Sequence, residues 1–253
     1  MKPYILAETN WLTVKDQNYM LAVLPWGATE AHNFHLPYSA DIIEGQKIAE
    51  GAAKVAWDKG AKVIVLPTIP FGVNTGQRDI RFDINMNPST QAAVFRDIVD
   101  VLNHHGIQKL LIMNSHGGND FKPVIRELGV QYPEMFLCTC NFYQALKLDD
   151  YFDEPGDHAG EMETSLLMHL VPELVLPLDK AGKGKEKKMK IQAFHEGWAW
   201  AERKWPKVTE DTGIGNPAKA TAEKGKRYFG DLVKKIGNLM YELATIDPED
   251  LYQ

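Results

Sequence analysis

Only two cysteines, Cys138 and Cys140, occur in 253 residues, too few for a disulfide framework or a four-thiolate metal site. No stretch approaches the ~20 consecutive apolar residues of a membrane span, and the opening MKPYILAETNW lacks the apolar core of a secretion signal. The cytoplasm is therefore the expected compartment, and no membrane partner is expected. Positive charge is not in excess either. The 28 Lys and Arg against 34 Asp and Glu leave a formal net charge of -6, and no basic stripe interleaves with aromatics, so a nucleic-acid partner is not expected. The one basic run, Gly182 to Lys190 (GKGKEKKMK), is short, contains a Glu and reads as a solvated face. Also missing are the serine nucleophile elbow GxSxG, the phosphate loop GxxxxGK[ST] and the dinucleotide fingerprint GxGxxG.

What is present is the composition of an ordinary globular protein, 44% hydrophobic and 25% charged. The length suits one domain over 1–253. Four short apolar runs, Met20 to Pro25, Lys62 to Pro67, Lys109 to Met113 and Met135 to Cys140, have the length and residue types of buried strands. Helical spacing follows over Asp41 to Lys59, Ser89 to His105, Asp120 to Gln131 and His158 to Leu170, with a last long helix from about Pro217 to Ala244. Gly60 and Gly106 sit where helices stop, and Pro88-Ser89-Thr90 where one starts. Strand-then-helix alternation predicts an α/β fold with a mainly parallel sheet covered by helices. The polar stretch from about Asp179 to Lys219 shows neither period, although it holds Trp198, Trp200 and Trp205.

Three segments carry metal-competent side chains. The first, Gly27 to Asp41, leaves the first strand with Glu30, His32, His35 and Asp41. Ligands gather at the C-terminal ends of parallel strands, and Glu30 and His32, two apart in extended chain, project to one side. Asp41 alone reads equally as a helix cap, and His35 as a hydrogen-bonded structural histidine. The second, Asn114-Ser115-His116-Gly117-Gly118-Asn119, leaves the third strand; its glycines permit positive φ and close approach of backbone to an ion or substrate. The plain alternative is a tight turn capped by Asn119. The third runs from Asp157 through His158, Glu161 and Glu163 to Ser165 at a helix start, where acids are favourable in their own right. Taken together, carboxylates mixed with imidazoles suit Zn²⁺, Mn²⁺ or Fe²⁺. Metal-assisted hydrolysis is the reaction class these segments favour.

At these residues the sequence resembles the creatininase (creatinine amidohydrolase) family. GATEAHNFHLPYSAD is similar to that family's G-x-x-E-Q-H-G-x-H-L-P-x-x-x-D, NSHGGN to its N-G-H-G-G-N, HAGEMETS to its H-A-G-x-x-E-T-S, and TGIGNPAKATAEKG to a weaker fourth signature. The four occur in the family's order along nearly the whole chain. The resemblance implies a three-layer α/β/α sandwich, two divalent metal ions per chain, Zn first with Mn or Fe as alternatives, and a homo-oligomer, commonly a hexamer. Carried over by motif position, Glu30 and His116 hold one metal, His32 and Glu163 the other, and Asp41 bridges both. A Glu that serves creatininase as a ligand has Gly118 in its place here, so Glu163 is the substitute, with Glu161 its rival. His158 is the proton shuttle, and His158 with Glu163 make up the catalytic pair.

The expected reaction is hydrolysis of a carbon-nitrogen bond in a small cyclic amide or related amide. The alternatives are hydrolytic ring opening of a cyclic polyol ketone of inosose type and, in another class, a non-catalytic metal-bearing binding protein. Ala31 for the usual Gln, Asn33-Phe34 for Gly-x, and the loop GVNTGQRDIR, which lacks the His and the F-P-G-T run of many relatives, argue against copying a substrate. The three tryptophans are read as packing a subunit interface in preference to forming a lid.

Overall fold

The computed structural model describes residues 2–252. Four strands, β1 (Leu21–Trp26), β2 (Val63–Val65), β3 (Lys109–Asn114) and β4 (Phe136–Asn141), form one sheet in the order β2-β1-β3-β4. Every pairing is parallel. Five helices of ten or more residues accompany them: α1 (Ala40–Asp58), α2 (Pro88–His104), α3 (Lys122–Gln131), α4 (Glu161–Leu170) and α5 (Ala222–Thr245).

Alternation along β1 explains the three layers. Leu21 and Val23 point into a core shared with Ile48 and Ala52 of α1, Leu166 of α4 and Leu232 and Ile236 of α5. Ala22, Leu24 and Trp26 point the other way, onto Phe95 and Val99 of α2 and Leu128 of α3. A strand covered on both faces has no polar side to keep, so β1 is buried at every position. Each fully buried Leu or Ile contributes about 1.5–3 kcal/mol over its exposed state.

The helix ends follow local chemistry. Gly60 and Gly106 have φ of +95° and +72°. The hydrogen-bond pairs Gly60 N–Trp57 O with Ala61 N–Ala56 O, and Gly106 N–Asn103 O with Ile107 N–Leu102 O, close both helices in the Schellman pattern. Pro88 takes the first turn of α2, where its missing N–H costs nothing. Thr221 caps α5 by accepting from the Lys224 N–H at 3.2 Å.

Three expectations are corrected at the boundaries. Helix α4 begins at Glu161 with Gly160 as its cap, so His158 lies in the loop before it. The long last helix begins at Ala222, after a single turn at Pro217–Lys219. Asn119 does not cap α3, whose N-cap is Phe121. Cys138 and Cys140 sit on β4 as thiols whose pKa burial pushes up to about 12, which makes them poor nucleophiles.

Candidate metal centre

The strand order reverses direction between β1 and β3, and at such a switch point the loops leaving two neighbouring strands part to leave a crevice. Glu30 and His32 follow β1, and His116 follows β3. Asp41 sits in the first turn of α1 and Glu163 in the first turn of α4. His158 is held by a two-way backbone pairing with Ile214. Five of the six sequence-predicted residues, Glu30, Asp41, His116, His158 and Glu163, line one cavity of about 680 Å³, and the sixth, His32, is fully buried with its Nε2 3.0 Å from Asp41 Oδ1.

Two overlapping clusters result. Ligand-type atoms of Glu30, Asp41 and His116 lie within 4.8 Å of one another, as do those of His32, Asp41 and Glu163, so Asp41 belongs to both. His158 joins Glu30 and His32 in a third such group. His116 Nδ1 is 3.0 Å from Glu30 Oε1 and 3.1 Å from Asp41 Oδ2, and His32 Nε2 is 3.0 Å from Asp41 Oδ1.

Each imidazole is aimed by its other nitrogen. His32 Nδ1–H donates to the Glu30 carbonyl (3.1 Å), His116 Nε2–H to the Val73 carbonyl (3.0 Å) and His158 Nε2–H to the Ala31 carbonyl (3.0 Å). A ring N–H fixed on a carbonyl sets the tautomer and directs the remaining nitrogen inward, which is the support metal-ligating histidines require. Two buried carboxylates, Glu30 and Asp41, and the half-buried Glu163 facing three such nitrogens call for positive charge between them, and divalent cations that accept both oxygen and imidazole ligands fit that donor set.

The electrostatics agree. Burial disfavours ionised Glu30, yet the imidazoles of His116, His158 and His32 outweigh it and hold the carboxyl far below its usual range. Burial likewise disfavours charged His32 and His116, but Asp41 and Glu30 override it and push both well up. Glu163 moves up, because burial and Asp41 exceed the help it gets from His32 and His158.

Of the two acids opening α4, Glu163 is the one beside His32 and Asp41. Glu161 turns away, accepting from the Glu154 N–H at 2.7 Å and pairing with Lys224 of α5. His35 stays outside the clusters, its Nε2 2.9 Å from Thr164 Oγ1, and burial with the neighbouring His32 lowers its pKa to about 4. Asp41 is not the helix cap: Ser39 holds that position, and the Asp41 carboxylate faces the histidines.

Gly117 and Gly118 do not adopt positive φ. Gly118 matters for closeness: a Cβ there would lie 2.2 Å from the Val73 carbonyl oxygen and 2.5 Å from His116 Nε2. The three tryptophans separate. Trp205 is 7% exposed, with its ring centroid 4.9 Å from that of His158 in an edge-to-face arrangement, whereas Trp198 and Trp200 are 75% and 82% exposed.

Several supporting residues had no sequence signal. Gln77 Nε2 donates to Glu30 Oε2, and Asp83 Oδ1 accepts from the Ala31 N–H at 2.8 Å. Asn119 Oδ1 accepts from the Val73 N–H (3.0 Å) and from Gln91 Nε2 (2.8 Å), fixing the loop whose carbonyl aims His116. Glu44, one turn beyond Asp41, is fully buried; burial, with Glu163 and Asp41 nearby, pushes its pKa well above the usual carboxylate range. Asn119 closes the NSHGGN segment, whereas no motif or spacing connects Gln77, Asp83, Gln91 and Glu44 to the site, since each of their contacts is made only by the folded chain.

The profile of the family described as Creatininase: Creatinine amidohydrolase matches residues 7–240. The chain belongs to the creatininase family. A Bacteroides fragilis NCTC 9343 protein, provisionally described as a creatinine amidohydrolase, is similar in structure at a TM-score of 0.93 and 43% identity, with both chains covered in full. The creatinine amidohydrolase of Pseudomonas putida is 27% identical over 60% of this chain and 65% of its own length, so the match spans slightly less than two thirds of that protein. The mycofactocin precursor peptide peptidase of Mycobacterium tuberculosis (strain CDC 1551 / Oshkosh) is 26% identical over 86% of this creatininase-family chain and 85% of its own. A manganese creatininase structure superposes at a TM-score of 0.80 with 19% identity, covering 97% of this chain and 100% of the other, which speaks to fold alone.

Proposed function

We propose that this creatininase-family protein is a metal-dependent hydrolase that cleaves a carbon-nitrogen bond of a small cyclic or linear amide. The observation carrying this reading is the pair of ligand clusters sharing Asp41, with three imidazoles aimed inward by backbone carbonyls. Glu30 and His116 would hold one divalent ion and His32 and Glu163 the other, with Asp41 a candidate ligand common to both groups. When bound, such ions supply Lewis acidity and a water acidified toward neutral pH.

The chain's own residues do the remaining work. Hydrolysis consumes one water, breaks the carbon-nitrogen bond and requires a proton on the departing nitrogen. His158 carries that proton on Nδ1, the nitrogen its bond to the Ala31 carbonyl leaves facing Glu30 Oε1 at 3.8 Å. Trp205 walls the other side of the ring. Ala159 N–H donates to Glu163 Oε2 and Gln77 to Glu30 Oε2, which keeps both acids in place.

Zn is the first choice of metal, with Mn or Fe as alternatives, and the protein works in the cytoplasm as a homo-oligomer, a hexamer by its family resemblance. Turnover tests the reading: the protein loaded with Zn or Mn is offered lactams, formamides, short peptide amides and inosose-like ketones, with release of amine or ring-opened acid measured. Amide hydrolysis abolished by chelation supports it. Turnover of the ketones alone replaces it with ring opening, and no turnover of any class by fully loaded protein overturns it.

A further inference from the structure

Arg203 is the only Lys or Arg among the residues lining the catalytic cavity. Its guanidinium lies over the Trp205 ring, 4.9 Å from the centroid, and Trp205 in turn is 4.9 Å from the His158 ring. These two contacts put the guanidinium carbon within about 10 Å of His158, the reach of roughly three extended residues. Nη1 donates to Asp157 Oδ2 at 2.7 Å. Among the described residues the guanidinium makes no other hydrogen bond, so an edge with unused N–H donors is left, pre-oriented by the stacked ring.

Beyond Arg203 lies a second cavity of about 460 Å³, which shares Asp157, Trp200 and Arg203 with the first and adds Lys188 and Phe194. Two adjoining cavities exceed what a compact lactam fills, since a water molecule's share of liquid volume is about 30 Å³. Asp120 and Glu202 stand on the inner cavity's wall. With Asp157, they repel an anion from their own positions and leave Arg203 as the place in the inner cavity that attracts one, with Lys188 on the outer cavity beyond it.

The strap bearing Arg203 is anchored. A Cβ at Gly76 would meet the Arg203 carbonyl oxygen at 2.0 Å, so the strap lies directly on the turn that presents Gln77 to Glu30. The position of Arg203 is thereby tied to the reaction centre.

We infer that Arg203 seats a carboxylate carried by the substrate, with the chain acting on amides that bear a free acid roughly one to three residue lengths from the bond cleaved and that extend toward the outer cavity. This rests on the hydrolase reading and narrows its substrate class. A planar guanidinium with an open edge pairs with a carboxylate through two parallel N–H···O bonds, which the neutral amide of the same compound cannot reproduce.

N-acetylglycylglycine and its C-terminal amide differ only in that group, and both are offered to metal-loaded protein for turnover and, separately, for binding by calorimetry. The acid is expected to bind and react tenfold or more better than the amide, with the ratio collapsing toward one in Arg203→Met and partly restored in Arg203→Lys. Asp157→Asn breaks the same ion pair yet keeps the ratio, because it leaves the guanidinium in place; a purely structural pair would make the Arg203 and Asp157 variants behave alike. Equal binding of acid and amide by the wild type, or a ratio unchanged in Arg203→Met, overturns the inference. Binding that depends on Arg203 without turnover supports the carboxylate seat and counts against the hydrolase reading alone.

Discussion

His158 and Asp83 show how single side chains acquire their roles from neighbours. With Nε2 committed to the Ala31 carbonyl, His158 keeps one working nitrogen, so His158→Gln is expected to lower kcat about 10²- to 10⁴-fold while metal content stays at the wild-type value; steady-state kinetics beside elemental analysis checks this. Asp83 behaves differently. Burial, against a bond from the Ala31 N–H and reinforced by Glu30, raises its pKa to about 7 from 3.8. An acid that binds its proton more tightly when folded loses stability as pH rises between those values. Asp83→Asn keeps an acceptor for Ala31 and removes the charge. In chelator-treated protein the variant is expected to melt a few degrees above wild type at pH 8 and level with it near pH 4, a gain of about 1 kcal/mol after allowing for the half-exposed site. Glu30, His32, Asp41 and His116 are legible in the sequence because strand exits concentrate them. Gln77, Asp83 and Arg203 are not, since only tertiary contact gives them meaning.

Elements reach the site through close approaches that leave no room for a side chain. Gly225 of α5 lies against α4 so tightly that a Cβ would come within 1.9 Å of the Ser165 carbonyl oxygen. Gly225→Ala should therefore push apart the two helices that position Glu163 and cost more than about 2 kcal/mol, a fall in Tm of roughly 4–8 °C by calorimetry. Strand and helix positions follow from apolar periodicity to within a few residues because β1 and β3 are buried on both faces and their helices on one. The start of α4 does not follow, because Gly160 and the turn before it are set by pairing of His158 with Ile214, 56 residues away along the chain. The segment around Trp205 is likewise unreadable in advance: its short helix, Trp205–Val208, packs by contact with Ile214 and Ile80.

Across the whole molecule, the switch point between β1 and β3 gathers three carboxylates and three imidazoles into one buried space, a concentration of charge that folding alone does not favour. Bound cations offset it, and any ligand held by the folded state alone stabilises it by mass action, about 2.7 kcal/mol at a hundredfold excess over Kd. Chelation is thus expected to lower Tm by roughly 5–10 °C. The claim that Asp41 unites two metal positions is tested most directly by the number of metal ions per chain, determined by elemental analysis of the purified wild type and of Asp41→Ala after supplementation with Zn or Mn. Two equivalents in the wild type, with both weakened in the variant, is the result the shared carboxylate predicts. A single equivalent or none in the wild type, or two retained without Asp41, would contradict it.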